Sequence, residues 1–73
     1  MAKMSLMGIQ HINQTFDDWR DETINECLNS LLKLMVVSEY DFIREEALST
    51  YKDMLEKYQN RLANQAIEDI LRG

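Results

Sequence analysis

His11 and Cys27 are the only residues of their types in the 73-residue sequence, and both can do acid–base or nucleophilic chemistry. Asp17 and Asp18 follow His11 closely, which is compatible with a general base or a metal ligand. A cysteine nucleophile needs a lowered pKa and a neighbouring base, and His11 is the one candidate. Cys27, however, lies among apolar residues at helical spacing, where a cysteine usually acts as a small core residue. We therefore interpret His11 as a partly exposed residue before a helix and Cys27 as part of the core.

Carboxylates spaced four residues apart are the other candidate for chemistry: Asp18 with Glu22, and Glu22 with Glu26. Such pairs share a helix face and can hold a divalent cation when a second helix supplies further ligands. The second predicted helix has no Glu-x-x-His, and the sequence has no Gly-rich phosphate loop, nucleophile elbow or zinc motif. We expect a solvated acidic face, no catalytic, metal or cofactor site, and no enzymatic activity. A metal-dependent helical enzyme is kept as a rival hypothesis.

Apolar residues at steps of three and four predict two long helices. The first is expected over about 15–37, with Thr15 as its N-cap and acidic residues in its first turn. Residues 38–41 break the pattern with two good N-cap types, and the second helix is expected over about 41–72, roughly 45 Å long. Residues 9–14 form either a short leading helix or the first turns of the first helix. Residues 1–8 are expected to be a flexible N-terminus.

The predicted fold is a single all-α domain over residues 9–73, a helical hairpin with or without the short leading helix. A connection of about four residues favours antiparallel neighbours. The second helix is the longer one and overhangs unless residues 9–14 pack beneath its far end. Residues 31–37 are apolar nearly all round, which predicts burial on more than one side. Because a chain of this length with one cysteine rarely builds a sufficient core alone, we predict a homodimer that forms a helical bundle.

Charge and composition bound the function class. The net charge is −5, and no apolar run is long enough to span a membrane. The start of the sequence lacks the long apolar region of a signal peptide, so a cytoplasmic protein is expected. Two helices with a short turn can mimic a DNA-binding helix–turn–helix, but acidic residues separate the basic residues of the second helix, and these do not form one stripe. Those basic residues are Arg44, Lys52, Lys57, Arg61 and Arg72.

Aromatic residues and five methionines are the features that best indicate a function, because they suit adaptable protein-binding surfaces. The candidate interface, to a partner protein or to a second subunit, is Phe16, Trp19, Leu31, Leu34, Met35, Val36, Tyr40, Tyr51 and Tyr58. We predict a small non-enzymatic helical protein that self-associates and acts as an adaptor, regulator or inhibitor of another protein. Its acidic surface would steer it toward a basic partner. The alternatives are a dimeric DNA-binding transcriptional regulator and a structural subunit of a larger assembly.

Overall fold

A computed structural model describes residues 5–73, and this part of the chain is all-α, without strands, as predicted. It contains three α-helices: α1 (Leu6–Gln14), α2 (Asp21–Val37) and α3 (Asp41–Arg72). A short 3-10 helix at Phe16–Asp18 connects α1 to α2. Within residues 5–73, no helix is both long and apolar enough to cross a bilayer.

The leading segment is a helix in its own right. Ser5 is its N-cap, and the Ser5 hydroxyl accepts a hydrogen bond from the Gly8 amide at 3.1 Å. Residues 6–8 are therefore helical, although residues 1–8 were expected to be flexible; residues 1–4 lie outside the described part. Thr15 closes this helix instead of opening the next one, because its amide and its hydroxyl both donate to the His11 carbonyl oxygen.

The start of α2 lies at Asp21, whereas the sequence pattern indicated a start near residue 15. The chain first turns through the 3-10 helix, and Trp19 and Arg20 then adopt extended backbone angles. We call residues 15–20, which connect α1 to α2, the corner. Asp21 and Glu22 occupy the first turn of α2, where carboxylates stabilise the unpaired amides and the positive end of the helix dipole. Only half of the acidic cluster that indicated a helix start belongs to α2: Asp17 and Asp18 lie in the 3-10 helix, while Asp21 and Glu22 open a helix that begins six residues later than expected.

The core lies where α2 and α3 pack together and α1 covers their seam. Its buried apolar side chains are Ile9, Phe16, Ile24, Cys27, Leu28, Leu31, Ala47 and Met54. Four of them come from α2 at steps of three, one and three, which is one face of a helix. Tyr58 of α3 accepts a hydrogen bond from the Asn25 amide of α2 at 3.4 Å, so the early turns of α2 lie beside the second half of α3.

Polar contacts fix the position of α1 along α3. The Gln10 amide donates to Glu46 at 3.1 Å, and the Asn13 amide donates to Asp53 at 2.7 Å. The Lys57 ammonium donates to the Asn13 carbonyl oxygen at 2.9 Å. Hydrogen bonds from Asn13 and Lys57 lower the pKa of the Asp53 carboxyl. These contacts place α1 beside the middle of α3, not beneath its far end.

The far end of α3 is therefore uncovered. The molecule measures 49 × 23 × 18 Å, and its long dimension equals the length of α3, about 48 Å for 32 residues. Its radius of gyration is 13.9 Å, compared with about 11 Å for a compact domain of this length. Every residue from Leu62 to Gly73 is exposed. We call residues 62–73 the overhang.

Shortening a buried core side chain should lower the free energy of unfolding. Leu31 is fully buried, so Leu31→Ala is expected to lower the free energy of unfolding by about 2–5 kcal/mol, through lost apolar burial and a cavity. Met7→Ala, at an exposed position of α1, should change it by less than about 0.5 kcal/mol. Urea denaturation followed by far-UV circular dichroism measures both. Similar midpoints for the two variants would contradict the assignment of the core.

Candidate protein-interaction surfaces

The nine residues predicted to contact a partner occupy three different environments. Two lie in the core: Phe16 and Leu31. Four are half-buried and pack against that core: Leu34, Met35, Tyr51 and Tyr58. Three are exposed: Trp19, Val36 and Tyr40. The structure therefore does not bring the nine together on one surface.

Arg61 explains why Phe16 is buried. Its guanidinium lies over the Phe16 ring, 4.2 Å from the ring centroid, and donates to the Phe16 carbonyl oxygen at 2.8 Å. The same group donates to the Trp19 carbonyl oxygen at 3.0 Å and to the Asp21 carboxylate at 2.9 Å. The planar guanidinium of Arg61 thus binds both ends of the corner to α3. The Arg61 side chain is only 17% exposed.

Trp19 is bound locally by its polar group. The indole N–H donates to the Thr15 hydroxyl at 2.7 Å, and that hydroxyl in turn donates to the His11 carbonyl oxygen at 3.0 Å. The ring is 37% exposed. A tryptophan whose N–H is satisfied within its own chain can still offer its apolar face to a partner.

A first apolar surface surrounds the connection between α2 and α3. We call it the connection patch, and it consists of Val36, Val37, Tyr40 and Phe42, which are 61–82% exposed. The rings of Tyr40 and Phe42 lie 5.7 Å apart, centroid to centroid, and are tilted by 39°. Exposed carboxylates adjoin it in the sequence at Glu39, Asp41 and Glu45.

Two members of the connection patch, Val37 and Phe42, were not among the predicted interface residues. The signal for Val37 was the apolar run at the end of α2. Phe42 lies one residue away from Ile43 on the apolar stripe of α3, and an off-stripe apolar residue next to a helix start is a sign of exposure.

A second apolar surface lies on the overhang. Its large side chains range from 43% exposed at Leu62 to 81% exposed at Leu71. The predicted stripe of α3 leaves the core here because the steps from Tyr58 through Leu62 and Ala66 to Ile70 are all four residues. At about 100° per residue, each such step turns the stripe by about 40° around the helix. The stripe therefore winds away from the side that α1 and α2 cover.

Cys27 and His11, the two groups that could do nucleophilic or acid–base chemistry, differ in exposure. Cys27 is buried, and burial, followed by the nearby Glu26 carboxylate, raises the pKa of its thiol. His11 is exposed. Among residues 5–73, no group of three or more histidine, cysteine or acidic side chains is arranged to hold a metal ion.

An open groove of about 710 Å³ lies between the corner and the beginning of the overhang. Its lining is mostly amide and charged, with Phe16 as its one large apolar contributor. Lys57 and Arg61 face it, but the Lys57 ammonium already binds the Asn13 carbonyl oxygen of α1, and the Arg61 guanidinium binds oxygens of the corner. Sites for small molecules are usually enclosed and mainly apolar, so this groove does not have their character.

Comparison of the chain with models of protein families, with characterised proteins and with solved structures finds no match. Its function must therefore be argued from its own surfaces.

The hold of Arg61 on the corner can be tested with a conservative change. Arg61→Lys keeps the charge but loses the planar fork, so the free energy of unfolding should fall by about 1–3 kcal/mol. Arg72→Lys, in the exposed last turn of α3, is the matched control and should be nearly neutral. Denaturation followed by the fluorescence of Trp19, the only tryptophan, reports on the corner directly. Equal stability of the two variants would rule out this role of Arg61.

The reactivity of Cys27 provides a second test. Because the thiol is buried and its pKa is raised, alkylation by iodoacetamide at pH 8 should be at least about a hundredfold slower in the folded than in the urea-unfolded protein. A Cys27→Ala chain that carries Ser49→Cys, at an exposed position of α3, should react quickly in both states. Rapid alkylation of native Cys27 would instead indicate an accessible, activated thiol.

Proposed function

We propose that this chain is a non-enzymatic protein-binding module of the adaptor, regulator or inhibitor type, and that α2 and α3 act as a helical hairpin in a self-associating, dimeric bundle. The observation that carries the proposal is the connection patch. Its four large apolar side chains are mostly exposed on a molecule of only 73 residues. A contiguous exposed apolar patch with polar residues around it is typical of a protein-interaction site.

The accessible surface supports the self-association. The chain exposes 5753 Å², whereas a compact monomer of this mass exposes about 4,700 Å². The surplus is about 1,000 Å², and each partner in a stable protein interface contributes about 800 Å². A chain of this shape therefore has enough uncovered surface for one interface of ordinary size.

Charge supports a basic partner. The net charge is −5, and carboxylates adjoin the connection patch in the sequence. A partner with basic side chains around an apolar centre would complement this surface and would be steered to it at low ionic strength. The single cysteine is typical of a reducing compartment, and we propose a cytoplasmic location.

DNA binding is the weaker candidate. Of the five basic residues on α3, Arg44 pairs with Asp41, while Lys57 and Arg61 bind oxygens of α1, the corner and α2. Phosphate binding requires cationic groups gathered on one accessible face. These three are engaged within their own chain, so a recognition helix is not the function that we propose.

The proposal is tested by affinity capture from an extract of the host, with identification of the captured proteins by mass spectrometry. The wild-type chain should recover a basic protein, and a double variant, Val36→Ser with Phe42→Ser, should recover at least about tenfold less, because it removes apolar contacts from the centre of the patch. Met7→Ser is the control, since it makes the same kind of change at an exposed position of α1.

Circular dichroism should show that all three proteins have the same helix content. If the folded wild-type chain captures no protein specifically, or if the double variant captures the same protein equally well, the proposed function is wrong.

A further inference from the structure

The apolar pattern of the overhang is symmetric in sequence. Its six apolar residues are Leu62, Ala63, Ala66, Ile67, Ile70 and Leu71. Reading forward or backward from the midpoint between Ala66 and Ile67 gives the same order of apolar and polar positions. On a helix these six positions cover about half of the circumference, and polar residues occupy the other half.

This apolar half faces away from the body of the molecule. Steps of four and three from the buried Met54 lead through Tyr58 to Arg61, and further steps lead to Gln65, Glu68 and Arg72. The face of α3 that packs against the core thus continues into the overhang as polar residues only. Within residues 5–73 nothing covers this apolar half, and covering it from within that part of the chain would require α3 to reorient.

We propose that the overhangs of two copies of this chain pair with each other, antiparallel, about a two-fold axis at the Ala66–Ile67 midpoint. A pattern that is its own reverse is self-complementary under this symmetry, and each residue lies level with its mirror position in the second copy. Ala63 then lies opposite Ile70, so a small residue faces a large one, while Ala66 and Ile67 lie next to the axis. The two alanines allow close packing of the two helices. This inference rests on the self-association in the proposed function and specifies its site.

The polar residues that flank the apolar half of the overhang favour the antiparallel over the parallel arrangement. In that arrangement Asn64 lies beside Glu68 of the second copy, and Gln65 lies beside Asp69 of the second copy, so each carboxylate meets an amide donor. A parallel pair would instead place Glu68 beside Asp69 of the second copy, and two carboxylates would repel each other. Arg61 is tied to its own corner and stays away from the pair.

The charge of the overhang also favours a protein surface over a lipid surface. Helices that lie on membranes carry lysine and arginine across their polar face. Within the overhang, Arg72 is the one basic residue, and it is outnumbered by Glu68 and Asp69. An anionic membrane would therefore gain no electrostatic attraction from this face.

Sedimentation equilibrium of the full chain tests the pairing. The wild type should show a monomer–dimer equilibrium, and Ile67→Ser should weaken it at least about tenfold, because the side chain lies at the two-fold axis in both copies. Met7→Ser, at an exposed position of α1 outside both apolar surfaces, makes the same kind of change and should leave the equilibrium unchanged. Circular dichroism at high dilution, where all three proteins are monomeric, should show the same helix content for both variants as for the wild type.

Disulfide trapping tests the direction independently. A mixture of an Ala63→Cys chain and an Ile70→Cys chain should oxidise to the mixed 63–70 disulfide, as peptide mapping can show, since these positions face each other across the axis. Disulfides between identical positions would overturn the antiparallel arrangement.

These experiments distinguish self-association of the chain from the pairing of the overhangs. A dimer that Ile67→Ser leaves intact would overturn the pairing of the overhangs but not self-association. A wild-type chain that stays monomeric at all concentrations would overturn both, and this includes the case in which the overhang binds lipid vesicles instead.

Discussion

The hold of Arg61 on the corner is the interaction on which the arrangement of the helices depends. Its guanidinium binds the carbonyl oxygens of Phe16 and Trp19 and the carboxylate of Asp21. The corner is where α1 ends and where α2 turns back, so fixing it to one residue of α3 also fixes how far α1 and α2 extend along α3. All of α3 after Arg61 is exposed for this reason. By binding these backbone oxygens, Arg61 also determines how much of the apolar surface of α3 stays uncovered.

The helices and most of the core were predictable from periodicity, because burying one face of a helix needs apolar residues at steps of three and four. The corner was not. Thr15 followed by acidic residues has the form of an N-cap. In the structure, however, its hydroxyl donates to the His11 carbonyl oxygen of the preceding helix. The sequence alone does not show whether such a residue ends one helix or begins the next. The position of α1 along α3 was equally unpredictable from the sequence. It depends on pairings such as Gln10 with Glu46, between residues that are distant in sequence and common on any surface. The nine predicted interface residues were chosen by type, and the structure distributes them between core and surface.

The two apolar surfaces lie at opposite ends of a rod 49 Å long. The connection patch adjoins the start of α3, and the overhang is its last three turns. One surface can therefore be covered while the other stays accessible. In the proposed antiparallel dimer, the two connection patches would point away from each other, about 75 Å apart along the helix axes. A dimer of this shape would be a bivalent binder, and its effect on a partner would depend on whether that partner also presents two sites at such a separation.

The overhang also links association to helix order. A helical segment of 12 residues is marginal in water by itself, and its stability in proteins comes mainly from packing of its apolar face. Within one copy, the overhang has only the continuity of α3 and the amide of Gly73, which donates to the Asp69 and Ile70 carbonyl oxygens, to hold its last turns. Packing against a second copy would supply the missing apolar contacts. The free energy of pairing would then include the ordering of these last turns, so the helix content of the chain would rise with its concentration. The last turns of α3 would in this way obtain part of their stability from the pairing of two copies.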